Sequence, residues 1–281
     1  MRKKSKGLRI SIVGYGFVGK AVEFGFKNNN NEIKIIDPKY NTFVDDLQGF
    51  LPDLTFVCVP TPMGSDGAID ASIIEKVMQN LSMVTGTIVI KSTITPDLAD
   101  KLCARDNVVY NPEFLTERNA ANDFINPPMH ILGGIGEYTN KVEEYYKEHS
   151  NCNPAPAYHM TAQEASFVKY GVNSFLATKV LWFNQYKDLI EKHGAKYNVI
   201  ANAIASDPRI GPSHTKVPGP DGRKGYGGAC FPKDTAALYT FSNIELSVLG
   251  EVIEANNQYR SEYELDDREK EQNVIFLKKS S

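Results

Sequence analysis

The sequence has few of the residues that build metal sites or disulfide frameworks. Its four cysteines, Cys58, Cys103, Cys152 and Cys230, lie far apart and have neither the spacing of zinc ligands nor that of a redox pair. The five histidines are scattered in the same way, so no pattern in the sequence predicts a bound metal. This cysteine usage predicts a reduced protein of the cytoplasm.

Long apolar runs and a strong excess of one charge are also missing. No stretch is long and apolar enough to cross a membrane, and the basic residues 2–6 are not followed by the apolar run of a signal peptide. The formal net charge of −3 argues against a nucleic-acid-binding protein. What remains is an ordinary globular composition, 42% hydrophobic and 23% charged, in a chain of 281 residues. This length suggests about two domains.

A glycine motif near the N-terminus lies between a predicted strand and a predicted helix. Residues 8–13 are apolar and β-branched, which predicts a buried strand, and residues 20–26 have a helical pattern. The motif Gly-Tyr-Gly-Phe-Val-Gly at 14–19 joins them, and a second predicted strand, 32–36, ends in Asp37. A G-x-G-x-x-G motif in this position, followed by an acidic residue after the second strand, is typical of dinucleotide-binding domains.

Each glycine of this motif has its own predicted role. Gly14 makes the tight turn, Gly16 lets a pyrophosphate approach the backbone, and Gly19 lets the helix pack on the strand. The helix N-terminus then faces the phosphates. Asp37 is expected to accept hydrogen bonds from the ribose hydroxyls and to repel a 2′-phosphate, which predicts NAD rather than NADP. The alternative is a glycine turn in an α/β domain that binds no nucleotide. The predicted cofactor-binding residues of the motif are Gly14, Gly16, Phe17, Val18, Gly19 and Asp37.

Strands and helices alternate over the first half of the chain. This alternation predicts an α/β fold with a Rossmann-like doubly wound parallel sheet, in which ligands bind beyond the carboxyl ends of the strands. Three predicted strands end in polar or turn-rich segments, at 60–62, 91–93 and 111–113, which we expect to line one crevice. Each segment alone is also typical of an ordinary strand-to-helix turn. The further predicted strands are 54–59, 87–91, 107–110 and 130–132, with helices at 73–83 and 96–102.

The second half of the chain is predicted to be helical. Residues 151–158 contain two prolines and are predicted to form a linker. Thr161 and Glu164 then form a capping box that opens a long helix. Its predicted core face consists of apolar positions at helical spacing, Ala165, Val168, Val172 and Phe175. Further helices are predicted at 197–206, 234–241 and 245–259.

These patterns divide the chain into three parts. Residues 1–155 are predicted to form an NAD-binding Rossmann-like domain. Residues 156–262 are predicted to form a smaller all-helical domain that carries a cysteine loop and pairs subunits into a homodimer. Residues 263–281 are a charged tail that we expect to be partly disordered.

Two polar residues share a face of the long predicted helix. Lys169 and Asn173 are four residues apart, so they lie one turn from each other beside the apolar stripe. A lysine and an amide held together near a core can polarise a carbonyl or stabilise an oxyanion. The alternative is the solvated edge of an amphipathic helix.

A cysteine follows a glycine-rich segment at 225–234, Gly-Tyr-Gly-Gly-Ala-Cys-Phe-Pro-Lys-Asp. Glycines allow a close backbone approach and unusual φ angles. Lys233 or a helix N-terminus would favour the thiolate of Cys230, and the thiolate is the nucleophilic form. The alternative is a buried structural cysteine beside a glycine turn.

Several further motifs occur in a fixed order along the chain. They are Pro60-Thr-Pro-Met-Gly-Ser-Asp-Gly, Lys91-Ser-Thr, Asn111-Pro-Glu-Phe-Leu-Thr-Glu117, Lys169 with Asn173, Asp207-Pro-Arg-Ile-Gly and Gly227-Gly-Ala-Cys-Phe-Pro-Lys-Asp. With these motifs, over roughly residues 8–260, the chain resembles the UDP-glucose and GDP-mannose dehydrogenase family. Members of that family oxidise nucleotide sugars with NAD.

The resemblance implies a four-electron oxidation. A primary alcohol at C6 of the sugar becomes a carboxylate, as in UDP-glucose to UDP-glucuronate, and two NAD are reduced. By resemblance, Cys230 adds to the intermediate aldehyde, a second hydride transfer gives a thioester, and water hydrolyses it. Lys169 and Asn173 would stabilise the oxygen charge. Asp234 would position or activate water with Thr93, and Glu117 matches the family's base for hydrolysis.

The resemblance also implies binding residues. Thr61, Thr93 and Glu117 occupy positions where the family contacts NAD. Arg209 and the backbone at 225–228 match groups that hold the sugar diphosphate, and His214 replaces an aromatic residue near the sugar nucleotide. The implied substrate-binding residues are Lys169, Asn173, Arg209, His214, Tyr226 and Gly227.

Two departures from the family pattern stand out. The passage from 38 to 52 is much shorter than usual, which predicts a trimmed sheet edge. The family also has a further α/β domain over the nucleotide of the sugar donor, and we expect this chain to lack it. The loop at 212–224, with Arg223 and Lys224, is the predicted local substitute for binding the diphosphate.

Other functions stay open at this point. The substrate is UDP-glucose in the leading hypothesis, with GDP-mannose or a UDP-N-acetylhexosamine as alternatives of the same chemistry. A second class is an NAD dehydrogenase of the hydroxyacid type, which oxidises once and does not need Cys230. A third class is a non-catalytic binding module.

Overall fold

The computed structural model describes residues 7–277 and divides into two compact units. The first comprises Met1–Thr61 and Asp70–Lys169, and the second comprises Pro62–Ile69 and Tyr170–Ser281. The sequence-based division at residue 155 differs from this one. The difference arises because a strand at 157–160 and the first turns of the following helix belong with the sheet.

A seven-stranded sheet forms the centre of the first unit. The strand order is β2-β1-β3-β4-β5-β6-β7, and every neighbouring pair is parallel except β5 and β6. The predicted Rossmann-like, doubly wound fold is therefore confirmed. The strands are β1 Arg9–Val13, β2 Glu32–Ile36, β3 Leu54–Val57, β4 Thr87–Ile90, β5 Val108–Tyr110, β6 His130–Gly133 and β7 Ala157–Met160.

The central strands form because their residues are mostly apolar and mostly β-branched on both faces. All four residues of β3 and of β4, and all three of β5, are buried. Buried parallel strands have such continuous apolar sequences because helices cover both faces of the sheet. β1 lies between β2 and β3, and the chain order of the strands reverses there. A crevice that binds ligands is expected at such a reversal, beyond the carboxyl ends of the strands.

Within residues 7–277, five α-helices accompany this sheet, and two of them were not predicted from the sequence. They are α1 Phe17–Phe26, α2 Ser72–Asn80, α3 Pro96–Leu102, α4 Ala120–Ile125 and α5 Gly136–His149. The predictions missed α4, α5 and strand β7. α4 is only six residues long, and α5 carries many charged residues, although Val142, Tyr145 and Tyr146 are buried at helical spacing. β7 was assigned to a linker because its side chains are half-exposed and two prolines precede it.

Aromatic rings fill the core between α1, α4, α5 and the sheet. Phe26 lies 5.0 Å from Phe56 and 5.4 Å from Tyr146 between ring centroids, and Phe124 lies 6.1 Å from Tyr146. Such pairs each contribute about 0.5–1.5 kcal/mol beyond the burial of their area. A Cβ at Gly25 would lie 2.2 Å from the Phe124 ring, so this glycine lets α1 pack closely on α4.

The connection from β2 to β3 is short. It contains the 3₁₀ turns Pro38–Tyr40 and Val44–Leu47, and no α-helix or strand lies between residues 37 and 53 of the described chain. This agrees with the shortened passage seen in the sequence.

Helices make up the second unit. α6 spans Ala162–Lys192 and begins in the first unit. It is followed by α7 Tyr197–Ala205, α8 Phe231–Phe241, α9 Ser247–Arg260 and α10 Asp267–Glu271. The predicted helical character of this region is confirmed. Part of the predicted tail at 263–281 therefore has a defined structure, since α10 lies in it and buries Glu269; residues 278–281 lie outside the described chain.

The buried face of α6 differs from the predicted one. Ala165 is buried, but Val168 and Val172 are only half-buried and Phe175 is 69% exposed. The prediction was wrong because it followed the apolar residues alone. The stripe that tertiary packing buries is partly polar and includes Ser166, Lys169, Tyr170, Asn173, Ser174, Ala177 and Leu181.

Candidate active site

The glycine motif after β1 has the geometry that a dinucleotide needs. Gly14 has φ +89°, and a Cβ there would lie 2.7 Å from the carbonyl oxygen of Cys58. A Cβ at Gly19 would lie 2.2 Å from the carbonyl oxygen of Gly14. By contrast, no heavy atom lies within 4 Å of a Cβ built on Gly16. Gly14 and Gly19 thus serve the turn and helix packing, and Gly16 leaves open space at the start of α1.

Asp37 lies beside this motif at the end of β2. Its Oδ2 accepts the backbone N–H of Tyr15 at 2.7 Å, and its Oδ1 accepts the N–H of Lys39 at 2.8 Å. The side chain is half-buried, and each carboxylate oxygen has a further lone pair for a ribose hydroxyl. Gly16 precedes α1 without a capping side-chain hydrogen bond, so the helix N-terminus is open to phosphate. These residues fit NAD.

Hydrogen bonds join the three segments that were predicted to line one crevice. The Thr61 hydroxyl donates to the carbonyl oxygen of Thr93 at 2.8 Å. Lys91 Nζ donates to Asn111 Oδ1 at 2.9 Å. The segments after β3, β4 and β5 therefore lie side by side at the carboxyl edge of the sheet.

Lys91 is a buried cation within this arrangement. Loss of hydration lowers the pKa of Lys91 to about 8. Asn111 Oδ1 accepts from Tyr146 as well, at 2.8 Å, and Lys91 lies 5.7 Å from the centre of the Phe124 ring. The lysine of the Lys-Ser-Thr motif thus packs into the sheet core.

Lys169 and Glu113 form a buried ion pair in the first unit. Lys169 Nζ lies 3.0 Å from Glu113 Oε1 and donates to the carbonyl oxygen of Glu113 at 2.6 Å. Both side chains are nearly inaccessible, with exposures of 2% and 6%. The solvated-edge alternative for Lys169 is therefore wrong.

The motifs alone did not identify Glu113 as a functional residue. The glutamate predicted to act as a base was Glu117, which lies exposed in the 3₁₀ turn Glu117–Asn119. The position of Glu113 directly beyond β5 was a usable signal, because residues there face the crevice of such sheets. The role of Glu117 as a base stays a prediction.

Cys230 lies at the start of α8 in the second unit. It is the N-cap residue, the N–H of Asp234 donates to its carbonyl oxygen at 2.8 Å, and the residue is half-buried. Burial raises the pKa of Cys58 and of Cys103 to about 12, and it raises the pKa of Cys152 as well. Such thiols are poor nucleophiles at neutral pH, whereas the N-terminus of a helix favours a thiolate.

A chain of buried polar side chains lies in the first turn of α8. Asp234 is fully buried, and its Oδ1 pairs with Lys233 Nζ at 2.6 Å. Its Oδ2 accepts from Asn173 Nδ2, also at 2.6 Å. Asp234 therefore neutralises Lys233 and orients the Asn173 amide, whose nitrogen has a second hydrogen. The predicted action of Asp234 on water stays a prediction.

Side chains hold the backbone of the glycine loop, residues 225–229, at three positions. The N–H of Gly225 donates to Asn184 Oδ1 at 3.0 Å. Tyr226 donates to Asn256 Oδ1 at 2.7 Å and accepts from its Nδ2 at 3.0 Å. The N–H of Gly228 donates to Glu269 Oε1 at 3.1 Å. These N–H groups thus serve the fold, and substrate contacts of Tyr226 and Gly227 stay predictions.

Arg209 and His214 lie on the segment between α7 and α8. The Arg209 guanidinium forms a two-pronged pair with Asp207, and its side chain is 87% exposed. His214 has φ +61° and lies 5.6 Å from the Phe231 ring. Burial lowers its pKa, and its buried Nδ1 has no hydrogen-bond partner within residues 7–277. Their binding of a sugar nucleotide stays a prediction.

The two cations of the loop at 212–224, Arg223 and Lys224, have partners within the second unit. Arg223 donates to the carbonyl oxygen of Glu264 at 2.7 Å and its Nη1 lies 3.9 Å from Glu269 Oε2, and Lys224 pairs with Asp188. Their charges are therefore already engaged within the second unit, which disfavours the predicted diphosphate contact.

Two domain models of one protein family match this chain, one in each half of the sequence. The NAD binding domain of the UDP-glucose/GDP-mannose dehydrogenase family matches residues 49–150, and the central domain of the same family matches residues 163–258. Together they match well over half of the chain. The chain belongs to the UDP-glucose/GDP-mannose dehydrogenase family. The predicted family and cofactor, NAD, are confirmed.

Individual relatives carry the same description. The UDP-glucose 6-dehydrogenase of Rhizobium meliloti (strain 1021) is 35% identical over 215 residues, which cover 70% of this chain and 48% of that protein. The UDP-glucose 6-dehydrogenase of Rickettsia bellii (strain RML369-C) is 32% identical over 219 residues, covering 73% and 49%. The chain thus spans about half the length of the curated relatives it matches.

Solved structures show the same fold. A UDP-glucose dehydrogenase from Pyrobaculum islandicum matches with a TM-score of 0.78 and 26% identity, over 92% of this chain and 69% of that one. A UDP-D-ManNAc dehydrogenase from Pyrococcus horikoshii has a TM-score of 0.76 at 18% identity, over 90% and 69%; this likeness shows the fold alone.

Residues 7–277 contain neither a membrane-spanning helix nor a cluster of metal ligands. None of the helices there has the length and apolar character needed to cross a membrane. The same residues contain no group of three or more histidine, cysteine or acidic side chains arranged to hold a metal ion.

Proposed function

We propose that the protein is an NAD-dependent nucleotide-sugar dehydrogenase that converts the C6 alcohol of UDP-glucose into a carboxylate. The observation that carries this proposal is the setting of Cys230. It is half-buried at the N-terminus of α8, and the buried hydrogen-bond chain Lys233–Asp234–Asn173 begins three residues later. A single-step dehydrogenase needs no such cysteine.

The reactants of the proposed chemistry are the sugar alcohol, two NAD and one water. Bound NAD accepts one hydride in each of two oxidation steps. The alcohol first loses a hydride and a proton to give the aldehyde, and the Cys230 thiolate adds to the aldehyde carbon as the oxygen takes a proton. The thiohemiacetal then loses a hydride and its hydroxyl proton to give a thioester. Water adds to the thioester, the thiolate leaves, and the net products are the carboxylate, two NADH and three protons.

Buried polar groups are proposed to stabilise the oxygen charge of these steps. Lys169 and Asn173 lie one turn apart on α6, with exposures of 2% and 5%. In a buried setting, preorganised donors stabilise a developing oxyanion more strongly than they would in water. Thr93, Glu117 and Asp234 keep the roles that the family resemblance implies, as predictions.

A screen of sugar nucleotides with NAD tests the proposal. UDP-glucose is expected to yield two NADH per sugar, with GDP-mannose and a UDP-N-acetylhexosamine as the comparison substrates. One NADH per sugar would support a hydroxyacid-type dehydrogenase instead, and no NADH with any substrate would support a binding module.

Substitution of the cysteine checks the covalent step. Cys230→Ala is expected to lower complete oxidation to the acid by at least about a thousandfold, because the thioester cannot form. The half-buried Cys152 offers a matched control, and Cys152→Ala should keep full turnover. Complete turnover to the acid by Cys230→Ala would refute Cys230 as the nucleophile.

We also propose that the protein is located in the cytoplasm. The only support for this location is that the four cysteines lack the spacing of a disulfide framework.

A further inference from the structure

Side chains from three helices accept hydrogen bonds from the glycine loop that precedes Cys230. Two of these side chains are neutral amides, and the third is a carboxylate. Asn184 of α6 and Asn256 of α9 bind the loop through neutral amides. Glu269 of α10 binds the N–H of Gly228 with a carboxylate. This contact lies two residues before the cysteine, nearer than the other two.

The Glu269 carboxylate is held from its own helix as well. The residue has an exposure of 0%. Its Oε2 accepts the N–H of Asp266 at 2.9 Å, and the Asp266 side chain accepts the N–H of Glu269 at 2.9 Å. This reciprocal capping box fixes the side chain at the first turn of α10.

Arg260 is the main counter-charge of Glu269. The guanidinium is fully buried, with Nη2 2.6 Å from Glu269 Oε1 and Nη1 2.7 Å from Asp221 Oδ2. It also lies 5.8 Å from the Tyr263 ring and 5.6 Å from the Phe276 ring. Two carboxylates and two aromatic rings therefore fix this arginine against the glycine loop.

The Arg260–Glu269 pair explains one glycine of the loop. A Cβ at Gly227 would lie 2.0 Å from Arg260 Nη2 and 2.5 Å from Glu269 Oε1. The missing side chain at 227 thus makes room for the ion pair. Gly228 differs, because it has φ +81° and no heavy atom within 4 Å of a built Cβ.

The same C-terminal segment contacts a second loop. The carbonyl oxygen of Gln272 accepts the N–H of Met63 at 2.9 Å. Met63 belongs to Pro62–Ile69, the part of the Pro-Thr-Pro motif that packs in the second unit. Residues 266–274 therefore bind two motif loops within one unit.

We propose that residues 266–274 form a positioning segment for the cysteine loop, with Glu269 as the positioning residue. This proposal rests on the proposed function of Cys230 and deepens it. Glu269 acts through Gly228 and does not touch substrate. By fixing the peptide two residues before Cys230, its carboxylate restricts the thiol to its place at the N-terminus of α8.

One competing explanation uses the same contacts. A glycine N–H beside an arginine also suits a phosphate oxygen, so Glu269 would then stand in for a substrate anion and leave when substrate binds. The complete burial of Glu269 and its capping box favour a fixed support.

Glu269→Gln in the full chain tests the proposal, with Glu271→Gln as the matched control. Glu271 is exposed on the same helix, so the two variants lose the same charge. The first readout is the rate at which iodoacetamide alkylates Cys230, followed by peptide mass spectrometry over a range of pH, with Cys152 as the internal reference. The second readout is kcat and KM with the sugar nucleotide.

Glu269→Gln is expected to change the alkylation rate of Cys230 by at least about threefold relative to Cys152. It should lower kcat by about tenfold or more while KM changes little, because misplacement of a reacting group acts on the chemical step. Glu271→Gln should match the unmodified protein in both readouts. Asp266→Ala removes the N-terminal cap of α10 but keeps the ion pair between Arg260 and Glu269. This variant should therefore fold, and its alkylation rate and kcat should change in the same direction as in Glu269→Gln but by less.

Two results would overturn the proposal. If the variants melt at lower temperature but keep the alkylation rate and kcat of the unmodified protein, Glu269 is structural only. If Glu269→Gln lowers KM or tightens the binding of inorganic phosphate, the anion-mimic explanation holds. Altered alkylation in a protein that oxidises no sugar nucleotide would keep the positioning role and refute the proposed function.

Discussion

Asp37 is the residue through which the first unit is expected to select its cofactor. Its carboxylate holds the turn at Tyr15 and lies at the end of β2. Asp37→Ala should remove a charge-assisted hydrogen bond of about 1.5–3 kcal/mol, which is about ten- to a hundredfold in the Kd of NAD. Asp37→Ala should also reduce the preference of the protein for NAD over NADP. Titration of the protein with each cofactor will measure both effects. Equal use of both cofactors by the unmodified protein would contradict this role.

Lys91 is expected to lower stability at neutral pH. Burial lowers the pKa of Lys91 to about 8 from an ordinary value of 10.5. Between these values the unfolded chain binds more protons than the folded chain, so the free energy of unfolding rises with pH across that window. Below pH 8 the buried charge costs about 3 kcal/mol.

Lys91→Met should therefore be more stable than the unmodified protein at neutral pH. The gain is about 2 kcal/mol, because the bond to Asn111 is lost while Asn111 keeps its bond from Tyr146. The difference should close as the pH approaches about 10, and urea unfolding at several pH values will measure it. Lys76 is exposed, so Lys76→Met serves as control. A difference for Lys91→Met that does not change with pH would contradict the prediction.

The element from β1 to α1 contains two kinds of glycine. Gly19→Ala places a Cβ 2.2 Å from the backbone oxygen of Gly14, whereas Gly16→Ala meets no heavy atom within 4 Å. Gly16 has φ −74°, so alanine there should leave the melting temperature nearly unchanged and weaken NAD binding. Gly19→Ala should lower stability by about 3 kcal/mol or more. Thermal melts with and without NAD will distinguish the effect of Gly16→Ala on binding from the effect of Gly19→Ala on stability. An unchanged NAD affinity in Gly16→Ala would contradict the prediction that the pyrophosphate lies against Gly16.

The whole molecule is expected to be a homodimer. On α6, Phe175, Trp182 and Leu189 are 69%, 48% and 51% exposed and recur every seven residues, a spacing that aligns side chains for a partner helix. We expect a second copy of the chain to pack on this stripe. Light scattering should give twice the 31.2 kDa of one chain.

Phe175→Glu should shift this dimer toward monomer, because a charge on an apolar interface is costly. Val199 is similarly exposed on α7, and Val199→Glu should leave the mass unchanged. A monomer at micromolar concentration in the unmodified protein would contradict the prediction.

Local patterns were enough for most of the fold. The strand 32–36 and the helix 96–102 have the predicted bounds, because apolar runs, a proline start and glycine breaks are local signals. Elements that depend on their neighbours were missed, such as β7, whose side chains are half-exposed. Position within the sheet stabilises β7, through its pairing with β6.

For the site, the sequence determined residue types and their order, and tertiary structure decided which of them are paired. The motifs alone named Cys230, Lys169, Asn173 and Asp234. Only the fold brings Glu113 to Lys169 across fifty-six residues of chain, and only the fold places Glu269 on Gly228. Burial of an ionised side chain depends on a distant partner that offsets its lost hydration, and no local pattern records that partner.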